Sequence, residues 1–214
     1  MSGVTEFLHP TKLGLYQFTG VDEDCRKLYD RMLQDRLSAE ERVDENGHMN
    51  AIERRIHDVL EYPEAEGILQ CIIAAGRDYM GDWFDKCGEV DIENHGLIIE
   101  DRSHISTHVD DRDGQVSVVF FLTGEDPSSE YNSVGNPRFV LEDERMTLNA
   151  PRLPWEGRNG YSVCPAPGRA VVFPSRAPHN QHPYRAVDPD RPHMQIVANF
   201  NFSDMPDFEE GEND

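Results

Sequence analysis

The stretch HISTHVDDRDGQVSVVFFL, residues 104–122, decides how the chain is read. Its first half holds His108 and Asp110 in a His-X-Asp pair, and its second half is an apolar run of the β-branched and aromatic residues that suit a strand. In an extended strand residues i and i+2 point to the same side, so His108 and Asp110 present an imidazole and a carboxylate to one ion. One neutral nitrogen and one hard oxygen suit a divalent transition metal.

The matching half lies downstream in GRAVVFPSRAPHNQHPYRAVDPDRPHMQIVANFNF, residues 168–202. A turn and an apolar strand lead to Phe173, Pro174 and Ser175, and then to His179 and His182, either of which supplies a third ligand. Two histidines and one carboxylate on a β scaffold leave coordination positions open, the arrangement expected for Fe(II) oxygen chemistry. His48 and His57 have no such partner half, and His95 in IENHG reads as part of a turn.

The 214 residues suffice for a full core and require only one domain. No basic start followed by an apolar run opens the chain, and no apolar stretch approaches the roughly 18 residues of a membrane span, so a soluble, cytoplasmic protein is expected. Cys25, Cys71, Cys87 and Cys164 form no C-x-x-C pair, which leaves reduced thiols rather than a zinc knuckle. The net charge of -21, with lysine only at positions 12, 27 and 86, argues against nucleic acid and anionic membranes as partners. Between Pro151 and His193 the balance reverses: Arg152, Arg158, Arg169, Arg176, Arg185 and Arg191 face only Glu156, Asp188 and Asp190. The sharper reading of that reversal is reception of an anionic small molecule; the plainer one is a solvated arginine-rich face.

Along the chain, residues 5–19 suggest one or two short strands at a sheet edge. Asp22 opens a helix carrying Leu28, Met32 and Leu33, and the charged RLSAEERVDENGH that follows reads as a surface loop. Asn50 and Glu53 resemble a capping pair ahead of Ile52, Ile56, Val59 and Leu60, which predicts a second helix. A third covers a sheet with the apolar residues of Glu66–Phe84. From Leu97 onward short β runs follow one another, punctuated by Gly, Pro and polar turns. The order, helices first and strands later, argues against βαβ units and for a mostly β (α+β) jelly roll or related double-sheet domain, with the helices packed on one outer face. The long loops 124–136 and 149–160 are placed to border a site mouth, with Trp155 as a substrate platform or a loop anchor.

With its H-x-D pair and its FPS-spacer-His segment, the region from Leu97 to Phe202 resembles the 2-oxoglutarate and Fe(II)-dependent oxygenase superfamily, in particular its bacterial and phage branch related to prolyl hydroxylases. The resemblance implies a double-stranded β-helix core over residues 97–202, with 1–96 as N-terminal strand and supporting helices and 203–214 as an acidic tail. It implies His108, Asp110 and His179 as Fe(II) ligands, with His182 the rival distal histidine. It also implies a basic residue after the distal histidine that holds the far carboxylate of 2-oxoglutarate, for which Arg191 is the leading candidate, ahead of Arg185 and Arg169. Pro192 departs from the usual pattern, because it interrupts regular pairing at the start of that strand. The carboxylate at Asp110 favours hydroxylation, since halogenating members lack it. The expected function is thus dioxygen-dependent hydroxylation of a small molecule or a peptide side chain. The alternatives are a metal-binding jelly roll without catalysis and a plain binding module; oligomeric state is not legible.

Overall fold

The computed structural model of the chain describes residues 12–43, 52–101, 103–110, 114–124, 139–142, 160–183 and 190–204. Two antiparallel sheets face each other. The larger has seven strands in the order β1-β9-β6-β11-β4-β3-β2, formed by Gly14–Gln17, Arg169–Pro174, Val116–Phe121, His193–Phe202, Val90–Ile99, Ile52–His57 and Glu40–Val43. The smaller has four in the order β5-β10-β7-β8: Ile105–His108, His179–Gln181, Phe139–Glu142 and Gly160–Val163. This is the double-sheet, jelly-roll architecture expected from the run of short strands, with the helices ahead of it on one face.

Alternation sorts each long strand into two faces. On β6 and β11 the residues Val118, Phe120, Ile196, Ala198 and Phe200 point outward under the helices, whereas Val119, Phe121 and Val197 point inward at the small sheet. The outer layer is covered by α1, Asp22–Asp35, and α2, Glu66–Met80, with the single turn α3, Trp83–Lys86, beyond. Cys25, Leu28 and Met32 recur at helical spacing to give α1 its buried stripe. Asp22, Glu23 and Asp24 in its first turn complement the helix dipole.

Two glycines set how closely these layers approach. A Cβ on Gly76 of α2 would meet the Phe200 ring at 3.0 Å, and one on Gly96 of β4 would meet Met32 Cε at 2.5 Å. Ion pairs fasten the far end of α1: Glu100 after β4 binds Arg36 and receives Arg54 Nε at 3.3 Å. No helix among the described residues is long and apolar enough to cross a membrane.

Three local expectations are corrected. Residues 52–57, read as the start of a second helix, form β3, and Val59–Glu61 is a separate 3-10 turn. The helical spacing of Ile56, Val59 and Leu60 arises because Asp58, with φ of 56°, turns the chain between a strand and a turn that both face the core. Glu40–Val43, read as loop, is the edge strand β2; charged side chains are tolerated, even favoured, at such an edge. His95 is no turn residue: it lies within β4, opposite His57 and Val197, and is buried.

Candidate metal centre and co-substrate cavity

β5 and β10 pair antiparallel with His108 opposite His179, which places the two imidazoles side by side with ring centroids 4.2 Å apart. Asp110 follows β5 by two residues, and its backbone N–H donates to the Ser175 carbonyl at 2.8 Å. The carboxylate thereby turns in beneath both rings: its Oδ1 lies 3.5 Å from His108 Nε2 and its Oδ2 lies 3.5 Å from His179 Nε2.

The other nitrogen of each ring fixes the tautomer. His108 Nδ1 is 2.9 Å from the Ser106 carbonyl and His179 Nδ1 is 3.0 Å from the Ala177 carbonyl, so each Nδ1–H donates to backbone, and in the neutral ring Nε2 is the atom that carries the lone pair. Two Nε2 atoms and one carboxylate thus converge, with ligand atoms all within 4.8 Å of one another. Metal–ligand bonds of about 2.1 Å put neighbouring donors about 3.0–3.4 Å apart, so the two His–Asp separations of 3.5 Å suit an ion and the widest spacing, within 4.8 Å, closes in around it. Burial pushes the His179 pKa below its ordinary value, opposed by the Asp110 charge. The ring is therefore neutral, as a ligand must be. His108 is the more open of the two, with 36% of its side chain exposed against 5% for His179.

Beneath the carboxylate lies a buried polar cluster that the sequence reading did not single out. Ser117 Oγ is 3.2 Å from Asp110 Oδ2, 2.9 Å from Ser175 Oγ and 2.8 Å from Asn199 Oδ1. Ser117 and Asn199 are opposite one another on β6 and β11. Ser175 also anchors the chain through its own N–H, 3.1 Å from the Gln115 carbonyl. The serine of the FPS segment thus locks the strand end that carries Asp110. The available signal for the cluster was polar residues at inward positions of otherwise apolar strands.

A narrow cavity opens beside these three side chains, walled by Leu97, Val119 and Val197 and reaching Arg55, Gln181 and Gln195. His193, Gln195, Val197 and Asn199 share the inward face of β11, as the period of two predicts. Arg191 stands before that strand, exposed, ahead of Pro192, and does not line the cavity. Arg169 is engaged elsewhere, with the Cys164 carbonyl and Gln17. His182 is exposed and outside the cluster of three. Arg152, Arg158, Arg185, Trp155, His48 and nearly all of the two long loops fall outside the described residues, as does the tail beyond Asp204. Arg55 was hidden in the segment misread as helix.

No family model and no curated protein matches this sequence. Solved structures do. The Pseudomonas putida prolyl-4-hydroxylase superposes with a TM-score of 0.62 at 16% identity, over 89% of this chain and 93% of that one. A prolyl hydroxylase from Trichoplax adhaerens, in complex with a hypoxia inducible factor peptide fragment, gives 0.58 at 13% identity over 88% and 83%. HygX from Streptomyces hygroscopicus, with nickel and 2-oxoglutarate bound, gives 0.58 at 11% over 90% and 84%. On this architecture, with His108, Asp110 and His179 gathered at one end of the small sheet, the chain has the fold of the 2-oxoglutarate and Fe(II)-dependent oxygenases.

Proposed function

We propose that the chain is an Fe(II)- and 2-oxoglutarate-dependent dioxygenase that hydroxylates a small molecule or a peptide side chain. The observation that carries this reading is the convergence of His108 Nε2, His179 Nε2 and the Asp110 carboxylate, with both Nδ1–H groups committed to backbone carbonyls. Two imidazoles and one carboxylate are the facial set that suits Fe(II) and leaves three positions open. His108, Asp110 and His179 would hold the Fe(II), which with 2-oxoglutarate and dioxygen as co-substrates would supply oxidative decarboxylation coupled to hydroxylation of a substrate carbon.

The chain's own residues bind, orient and exclude. Ser117, itself braced by Ser175, holds the carboxylate in place from below, so the ligand set is organised before an ion arrives. Leu97, Val119, Phe139 and Val197 surround the cavity with apolar wall, which keeps bulk water from the reacting centre and strengthens the polar contacts made inside it. His108 marks the more exposed side, where a substrate reaches the centre.

The test is optical. The anaerobic protein loaded with one equivalent of Fe(II) should develop a weak visible charge-transfer band on addition of 2-oxoglutarate, and in air should convert 2-oxoglutarate to succinate slowly even without substrate. A folded, iron-loaded sample that shows neither refutes the proposal.

A further inference from the structure

The cavity extends from the metal ligands along the inner face of the large sheet, and its far end carries polar groups that an ion does not use. Gln181 stands two residues beyond His179 on the same face of β10, about 7 Å further along the strand. It is 2% exposed, and neither its Oε1 nor its Nε2 has a hydrogen-bond partner among the described residues. A buried amide with both ends unpaired is costly, and the expected resolution is a polar ligand that supplies the missing bonds.

Arg55 and Gln195 line the same cavity from the opposite wall. Both are register partners of Leu97, one on each side of β4, so they stand at one height on the sheet. The orientation of Gln195 is set from behind. His193 is buried, with Nδ1 2.8 Å from Thr123 Oγ1 and Nε2 3.3 Å from Gln195 Oε1. A neutral ring has one proton; carried on Nε2, it is donated to Oε1 while Nδ1 accepts from the Thr123 hydroxyl. Gln195 then contributes its amide N–H groups to the cavity. Asp110 is the one carboxylate lining this space among the described residues, and it belongs to the metal end.

The cavity thus has a chelating end, an apolar middle and a cationic, donor-rich far end. A five-carbon diacid, about 5 Å between its end carbons, matches that sequence of surfaces. We propose that Arg55, assisted by Gln181 and Gln195, holds the far carboxylate of 2-oxoglutarate, and that Arg191 does not. The assignment rests on the dioxygenase reading and adds to it the residue that selects the co-substrate. The cavity encloses only about 20 Å³, room for one water, so the diacid enters as the flexible Arg55 and Gln181 side chains swing aside.

The experiment titrates anaerobic Fe(II)-loaded full-length chain with 2-oxoglutarate and with 2-oxopentanoate, which keeps the chelating head and has a methyl group in place of the far carboxylate. The charge-transfer band reports both. Arg55→Gln and Gln181→Glu are expected to weaken 2-oxoglutarate roughly 10- to 100-fold, the loss typical of a charge-assisted contact. They should leave 2-oxopentanoate affinity and iron stoichiometry within about twofold of the unsubstituted chain, and Arg191→Gln should alter none of these values. Selective loss of 2-oxoglutarate in Arg191→Gln but not in Arg55→Gln overturns the assignment. Equal loss of both acids in Arg55→Gln also overturns it, because that pattern belongs to a structural residue. An unsubstituted chain that binds both acids equally tightly has no anchor, and this inference fails alone; one that binds iron but neither acid sinks the dioxygenase reading with it.

Discussion

Replacing Ser117 with alanine asks whether Asp110 is held ready for an ion or merely lies near two histidines. The Ser117 hydroxyl has no solvent exposure and reaches Asp110 Oδ2 at 3.2 Å, Ser175 Oγ at 2.9 Å and Asn199 Oδ1 at 2.8 Å. It has one proton to give. All three contacts are satisfied when Ser117 donates to the carboxylate, Ser175 donates to Ser117, and the Asn199 amide is turned to offer its N–H. Alanine removes the donor to a charged group, worth about 1.5–3 kcal/mol, and buried surroundings admit no ready replacement. At about 2–4 °C per kcal/mol for a chain of this size, the metal-free midpoint should fall by about 3–12 °C. Metal affinity should fall about 10- to 100-fold, as when a ligand loses its outer hydrogen bond. Calorimetric titration of the metal-free protein with Co(II), beside a thermal melt, reads both. A variant that melts lower yet binds Co(II) as tightly as the unsubstituted chain would falsify the positioning role and leave Ser117 a packing residue.

Other perturbations separate ligand, pH and packing effects. His179→Ala should abolish stoichiometric iron binding while His182→Ala, at an exposed position, retains it; elemental analysis after desalting decides, and the reverse result moves the ligand. Burial pushes the His193 pKa down to about 4, from about 6.5 when unfolded. The unfolded chain therefore takes up a proton that the folded chain refuses, and stability contributed above pH 6.5 is lost as pH falls from there toward 4. The slope is at most about 1.4 kcal/mol per pH unit, and about 3 kcal/mol over the window. His193→Gln should flatten that limb in urea midpoints measured against pH, and an unchanged limb excludes His193 as its source. Gly96→Ala should cost about 1–3 kcal/mol, because its Cβ would overlap Met32 Cε and Val59 Cγ1 in a filled layer; an unaltered urea midpoint would show that α1 can shift.

Where apolar residues form an unbroken run or a stripe at helical spacing the sequence was legible. The runs VSVVFF and RAVVFP announced β6 and β9, and the stripe of Leu28 and Met32 announced α1. His108, Asp110 and His179 were readable because ligand chemistry restricts residue type and the pair's spacing is local. Proximity of His179 to that pair depends on the β5–β10 register, which no local pattern encodes. β3 was illegible for a physical reason: Arg54, paired with Glu100, stands on the outer face where an apolar residue would precede Ile56, and Arg55 beside it lines the cavity, so the apolar alternation that marks a strand is broken. His95 was missed for the same reason, with Gly96, required by Met32 above it, adding a false turn signal. Polar residues that build a cavity look, in one dimension, like loop.

The two histidines also belong to strands of unequal security. Among the described residues β5 has four residues and a single neighbour, β10, which is itself three residues long and changes register between His179 and Gln181. An ion shared by His108, Asp110 and His179 therefore clamps the weakest seam of the small sheet, joining points about 70 residues apart along the chain as a crosslink does. Occupancy should be legible far from any chemistry, as slowed amide hydrogen exchange in β5 and β10 while β6 and β11, secured on both sides, exchange at an unchanged rate.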